Sequence, residues 1–192
     1  MAKKQDFRPD KPKNSIISHL ILTRKQQRTL FKWVFYGSLL VLISVIQDVL
    51  LSQVRIFGAT TELIPCAIFL ICLLEGTETG SIFTLITSLL YLFSGTAPGP
   101  YSMVAITFYG IGVCIFRQAY LQETFSSVFL CAAVAMLAYV LTNFLFGLFL
   151  GYTPLSRFPG FMITVGLTLL SVPILYPIFK AISAFGGNQW KE

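Results

Sequence analysis

A single histidine, His19, occurs in the 192 residues, and that scarcity narrows the chemistry first. Ser-His-Asp and Cys-His arrangements need a histidine beside a nucleophile, and most zinc sites draw on histidine as well, so hydrolase and metalloenzyme readings fall away. Cysteine is sparse too. Cys66, Cys72, Cys114 and Cys131 lie singly within apolar runs, with no Cys-x-x-Cys pair, and read as small buried hydrophobes. No Gly-Lys-Ser/Thr phosphate loop is present, so ATP-driven work would fall to another protein. The chain is therefore expected to be non-enzymatic and to hold no cofactor or metal.

Charge is the other shortage. Only 11% of the residues are charged while 55% are hydrophobic, with 18 Phe and 8 Tyr, and the mean hydropathy is +0.76. A soluble domain of this size could not hide so many large apolar side chains without exposing aggregating patches, so lipid is their natural solvent. The formal charge of +6 does not point to nucleic acid, because nine of the 14 basic residues precede residue 34 rather than lining a face.

That asymmetry orients the chain. On the positive-inside rule the basic tail is cytoplasmic. It is too long and too charged for a secretory signal, and no small-residue cleavage site ends the first apolar run at 44–53, so the first helix is expected to be retained. Three regions follow: a basic cytoplasmic tail over 1–33, a transmembrane helical domain over 34–183, and a cytoplasmic tail over 184–192. Within the first, residues 1–14 are Lys- and Pro-rich and expected to be disordered. Residues 15–32 mix Ile16, Ile17, Leu20, Ile21 and Phe31 with basic side chains, either as an amphipathic helix on the inner leaflet or as the solvated start of the first helix.

Apolar runs predict helices over about 34–53, 63–74, 81–93, 103–116, 126–150 and 161–182, the last kinked at Pro173 and Pro177. The fold class is all-α, a polytopic bundle of about six transmembrane helices. The second and third runs are short, and form either two crossings joined by the turn at 75–80 or one re-entrant hairpin. Six crossings put the nine leading basic residues with Arg117, Lys180 and Lys191 inside, and Arg55 and Arg157 outside. Twelve against two is the expected cytoplasmic excess.

Candidate functional residues are the polar ones at membrane depth. Asp48 stands out, because an ionisable group in a transmembrane segment costs a few kcal/mol on insertion scales. Ser44, Asp48, Ser52 and Arg55 share a helical face, so Asp48 either serves a cavity or pairs with Arg55. Glu62, Glu75 and Glu78 flank the short runs and read as solvated more often than functional. Arg117 reads as an interfacial anchor, and Asn143 seeks an interhelical hydrogen bond. Small residues at spacing four, Cys131 with Ala135 and Gly147 with Gly151, suggest a close helix contact within the fold or with a partner.

The stretch from Gln47 to Gln118 resembles the bacterial rod shape-determining MreD family. The resemblance rests on Gln47 near the end of the first helix, a short loop with Gly58, Thr61-Glu62-Leu63 before an apolar helix, Gly76 and Gly80. The Ser94-Gly95 to Gly99 loop and Tyr109-Gly110-Ile111-Gly112 continue it. The family usually has Pro-Asp-Leu where this chain has Thr61-Glu62-Leu63, keeping the charge, and an acidic residue before the Ser-Gly loop where this chain has Tyr91. What the resemblance implies is a membrane scaffold of the cell-wall elongation machinery in the bacterial cell membrane. It would bind MreC and other elongation-complex proteins and link the actin-like filament to peptidoglycan synthesis. Substrate-binding components of energy-coupling-factor vitamin transporters, whose fold is similar to that of MreD, are the competing class. They carry Ala-x-x-x-Ala spacing on the first helix, whereas here no alanine occurs from Val34 to Gln53.

The orientation is testable by thiol labelling in a cysteine-free background. An impermeant reagent should modify Ala97→Cys in intact cells and Lys3→Cys only after lysis; the opposite pattern would invert the topology.

Overall fold

The computed structural model describes residues 24–51, 59–95, 97–120 and 124–185, and these form an all-α bundle. Helix α1 spans Arg24–Val45 and continues as a π-helical stretch, Ile46–Leu51; α2 is Leu63–Leu74, α3 Thr77–Phe93, α4 Pro100–Tyr120, α5 Phe125–Phe149 and α6 Phe158–Phe185. Four segments are long and apolar enough to cross a membrane: Thr29–Val49, Pro100–Ala119, Phe125–Phe149 and Leu155–Ala184. Large apolar side chains point outward along them, among them Phe35, Val41, Phe108, Leu130, Leu170 and Ile174. Such an apolar exterior fits a multi-pass membrane protein.

The architecture is a ring around one short helix. Helix α2 packs against α1, α3, α4, α5 and α6, and Trp33 on α1 closes the ring by packing, with its ring tilted, 5.2 Å from Phe83 on α3. Its sequence, LIPCAIFLICLL, is apolar on every side, which is the pattern of a helix buried all round. Each of Ile64 to Leu74 is buried.

Its beginning explains why it starts where it does. Pro65 falls in the first turn, where a missing N–H removes one donor that the helix could not satisfy internally. The side chain of Gln47 accepts the N–H of Ile64 at 3.0 Å, and Thr168 Oγ1 accepts that of Glu62 at 3.1 Å. Glu62 also lies beside Tyr139. Thr168 and Tyr139 are each ten residues from the near end of α6 and α5, or about 15 Å at the helical rise. So α2 begins deep inside the bundle, and its 12 residues cover about 18 Å of a core about 30 Å thick.

Several sequence expectations shift. The first helix starts about ten residues earlier than predicted, so the part of the amphipathic segment from Arg24 to Lys32 is simply the base of α1; its remainder lies outside the described residues. The polar turn after α2 is only Glu75 and Gly76, because Thr77 already begins α3 with Gly76 as its N-cap. Helix α4 starts at Pro100, the residue type suited to a first helical position, and α6 runs through both Pro173 and Pro177. A re-entrant hairpin and two crossings leave every later helix in the same orientation, so the charge count bears on the N-terminus and not on that choice.

The Gly147–Gly151 spacing marks a helix end within this chain. Gly151 has φ +74°, its N–H reaches Leu148 O at 3.1 Å, and Tyr152 N–H reaches Gly147 O at 2.8 Å, the two bonds of a Schellman cap. A Cβ at Gly147 would meet Thr153 of the same turn. Cys131 and Ala135 do lie on the buried face of α5. The closest helix approach is between α3 and α4, where a Cβ at Gly110 would lie 2.5 Å from Thr84 Cγ2 and one at Gly80 would lie 2.9 Å from Cys114 Sγ.

Gly110→Val should therefore lower the stability of the detergent-solubilised protein by about 1–3 kcal/mol through overpacking. Gly37→Ala, with nothing within 4 Å of the added methyl, should leave it level or raise it by roughly 0.5–1 kcal/mol. Equal thermal unfolding of the two variants would refute the close contact.

Candidate functional site

Polar side chains gather at the two ends of α2, and the two gatherings differ in how completely they are paired. At the C-terminal end Glu75 is 1% exposed, which corrects the expectation of a solvated loop residue. One carboxylate oxygen lies 2.6 Å from Lys32 Nζ, and the other accepts the Tyr36 hydroxyl at 2.8 Å. Lys32 and Tyr36 are one turn apart on α1, so a single helical face delivers both. Arg117, also buried, lies near enough to act electrostatically on Tyr36, and so belongs to this cluster rather than to an exposed anchor. The cost of desolvating Glu75 and Lys32 is offset only because each has a charged partner at contact distance. A lysine four residues before a tyrosine inside an apolar helix was the signal available in the sequence. Glu78 is exposed.

At the N-terminal end the candidates Asp48, Glu62 and Asn143 come together through two tyrosines. Tyr139 lies beside Glu62 and Asn143, and Tyr91 faces Glu62, Asp48 and Gln47. Tyr139 is wholly buried, and Tyr91 and Asn143 are nearly so. Asp48 is half-buried and accepts Ser44 Oγ at 3.5 Å from one turn below. Asp48 itself lies within the π-helical stretch Ile46–Leu51, where the turn is wider than in an α-helix, and Ser52 lies outside the described residues. Arg55, the expected partner of Asp48, lies outside the described residues. Gln47 and Tyr91 entered the sequence reading only through the family resemblance, and Tyr139 and Thr168 were not singled out, since tyrosine and threonine are ordinary in membrane helices and only the fold turns these inward.

The N-terminal cluster is incompletely satisfied. Asp48 Oδ1, Glu62 Oε2, Tyr139 Oη, Asn143 Oδ1 and Nδ2 and Thr61 Oγ1 are shielded from solvent without a well-aligned hydrogen bond, although Tyr139 lies close enough to interact with Glu62, Asn143 and Tyr91. Among the described residues no group of three or more His, Cys, Asp or Glu side chains forms a metal centre, and all four cysteines are free and buried.

No protein-family model, curated protein or solved structure matches the chain. The assignment of a role therefore rests on the chain's own residues.

The paired end is the one to test for stability. Glu75→Gln should cost about 3–5 kcal/mol because it strands a buried lysine, whereas Tyr36→Phe should cost about 1 kcal/mol. Combining Lys32→Met with Glu75→Gln should recover much of the first loss in a double-mutant cycle of unfolding. Strict additivity would dissolve the pair.

Proposed function

We propose that the chain is a non-enzymatic membrane scaffold of the MreD type, acting in bacterial cell-wall elongation by binding MreC and other elongation-complex proteins. In this role it maintains cell shape by linking the cytoskeletal filament to peptidoglycan synthesis. The observation that carries the reading is a set of outward glycines within apolar helix faces. Gly37 on α1, Gly112 on α4 and Gly166 on α6 have open space where a side chain would stand. Gly112 sits among exposed Phe108, Ile115 and Phe116, and Gly166 near exposed Leu170. Within lipid, small residues let two helix backbones approach closely, and this is how helices associate where apolar burial gives no net drive.

The residues of the resemblance support the same reading. Gln47 holds the start of α2, Gly76 caps α3, and Gly80 and Gly110 admit the tight α3–α4 contact; all shape the bundle. The orientation we propose sets both termini in the cytoplasm. Helices alternate in direction, and Lys32, Arg117 and Lys180 then share the cytoplasmic end, with Arg157 at the other.

A second reading, a vitamin-binding component of an energy-coupling-factor transporter, draws on one observation: the unpartnered polar atoms around Glu62. Co-expression with MreC from the same organism, followed by purification in mild detergent, separates the two. The scaffold should elute with MreC, and Gly112→Leu or Gly166→Leu should lower the recovered MreC several-fold without lowering unfolding temperature. Elution with a transporter ATPase pair and a bound vitamin would instead establish the second.

A further inference from the structure

Where α5 hands over to α6, the exterior carries a groove that the scaffold role does not use. Leu141, Phe144 and Leu145 on α5 face Leu155, Phe158 and Pro159 of the turn and the start of α6 across a space of about 570 Å³. Phe144 is buried and meets Phe158 and Phe161 edge-on, with ring centroids 5.3 Å and 5.1 Å away, so it forms the floor. The walls stand open, with Leu145 47% and Leu155 72% exposed. Leu141 lies eight residues before Phe149, the last residue of α5. The groove therefore runs roughly 12 Å from that end of the helix toward the middle of a core about 30 Å thick. Depth, apolar lining and an opening to the surroundings suit a hydrocarbon chain.

The mouth of the groove is charged. Ser156 and Phe158 both line it, and Arg157 stands between them, exposed. Among the described residues no carboxylate pairs with this guanidinium. Glu75 is taken by Lys32, Glu62 turns inward beside Tyr139, Asp48 accepts Ser44 on α1, and Glu78 opens α3 at the other end of the bundle. The stretch 52–58, outside the described residues, contains no acidic residue. Exposed Tyr152, five residues before Arg157, is of the type that marks the headgroup level. The start of α6 adds the positive end of its dipole, and the planar fork of arginine matches phosphate oxygens. A positive mouth above an apolar groove complements an amphiphile with an anionic head. An apolar helix of another protein would fill the groove too, but would cover the guanidinium without supplying a counter-charge.

We infer that this groove binds an anionic glycerophospholipid, with one acyl chain between Leu145 and Phe158 and the phosphate on Arg157. The site does not rest on the scaffold role: lipid selectivity and MreC recovery are read separately, and either can fail alone.

The test places a tryptophan at the rim of the groove. Leu155→Trp is introduced into the full-length chain together with Trp33→Phe and Trp190→Phe, which removes the two native tryptophans. The protein is reconstituted in phosphatidylcholine vesicles containing brominated phosphatidylglycerol or, at the same mole fraction, brominated phosphatidylcholine. Quenching should show a relative association roughly fivefold higher for phosphatidylglycerol. Arg157→Gln should abolish that excess and leave quenching by phosphatidylcholine unchanged. Because the basic N-terminal tail lies at the other end of the bundle, lipid gathered there does not reach this reporter. If the background without native tryptophans does not fold, native mass spectrometry of wild type and Arg157→Gln decides instead, the variant retaining about one phosphatidylglycerol fewer per chain. Equal quenching by the two lipids overturns the inference, as does an excess that Arg157→Gln retains. Exclusion of both lipids overturns it as well, since a second copy of the chain would then cover the groove.

Discussion

Everything in this bundle depends on burying α2 on all sides. A helix with no polar face cannot be placed at a surface, and one that begins inside the bundle cannot leave its first N–H groups to water. The five surrounding helices meet both demands. They supply the apolar contacts along its length and, through Gln47 and Thr168, acceptors for the backbone at its start. Within a bilayer an unmet backbone donor costs several kcal/mol, so these two side chains are as much a part of the helix as its own residues.

The ends of α2 show two solutions to the problem of charge in a low-dielectric interior. Glu75 has a lysine at contact distance and a phenol donor, which makes its carboxylate tolerable and ties α1 to the turn between α2 and α3. Glu62 has hydroxyls and an amide around it but no described cation. Tyr91, at the position where the resembling family carries an acid, brings a polar group to this cluster without a second buried charge. Unmet hydrogen-bonding atoms are most numerous at this end, with others at Thr79, Thr153 and Tyr176.

The exterior has a separate logic. Glycines that face inward, Gly80 and Gly110, serve the internal α3–α4 contact, while Gly37, Gly112 and Gly166 face outward with nothing against them. A helical scaffold needs such notches where a second protein approaches. The inner polar cluster and the outer notches are thus distinct surfaces of one molecule, and neither requires the other.

Sequence alone determined the helices and their solvent. Apolar runs located the six described helices, because hydropathy is a local property summed along the chain, but they left the run at 63–74 open between a crossing and a hairpin. It also selected Asp48, Glu62 and Asn143, since polar atoms inside apolar runs are visible without a fold. Helix ends were less legible. The early start of α1 and the two-residue turn at Glu75-Gly76 depend on contacts made across the bundle, and the Gly147–Gly151 spacing is the same string for a helix contact as for a helix cap. Only the tertiary structure decided which polar residues meet: that Glu75 is buried against Lys32 and Tyr36, and that Tyr91 and Tyr139 join Glu62 to Asp48 and Asn143. Those partners come from helices far apart in the chain, and side-chain pairing over such separations is set by packing, which no local pattern encodes.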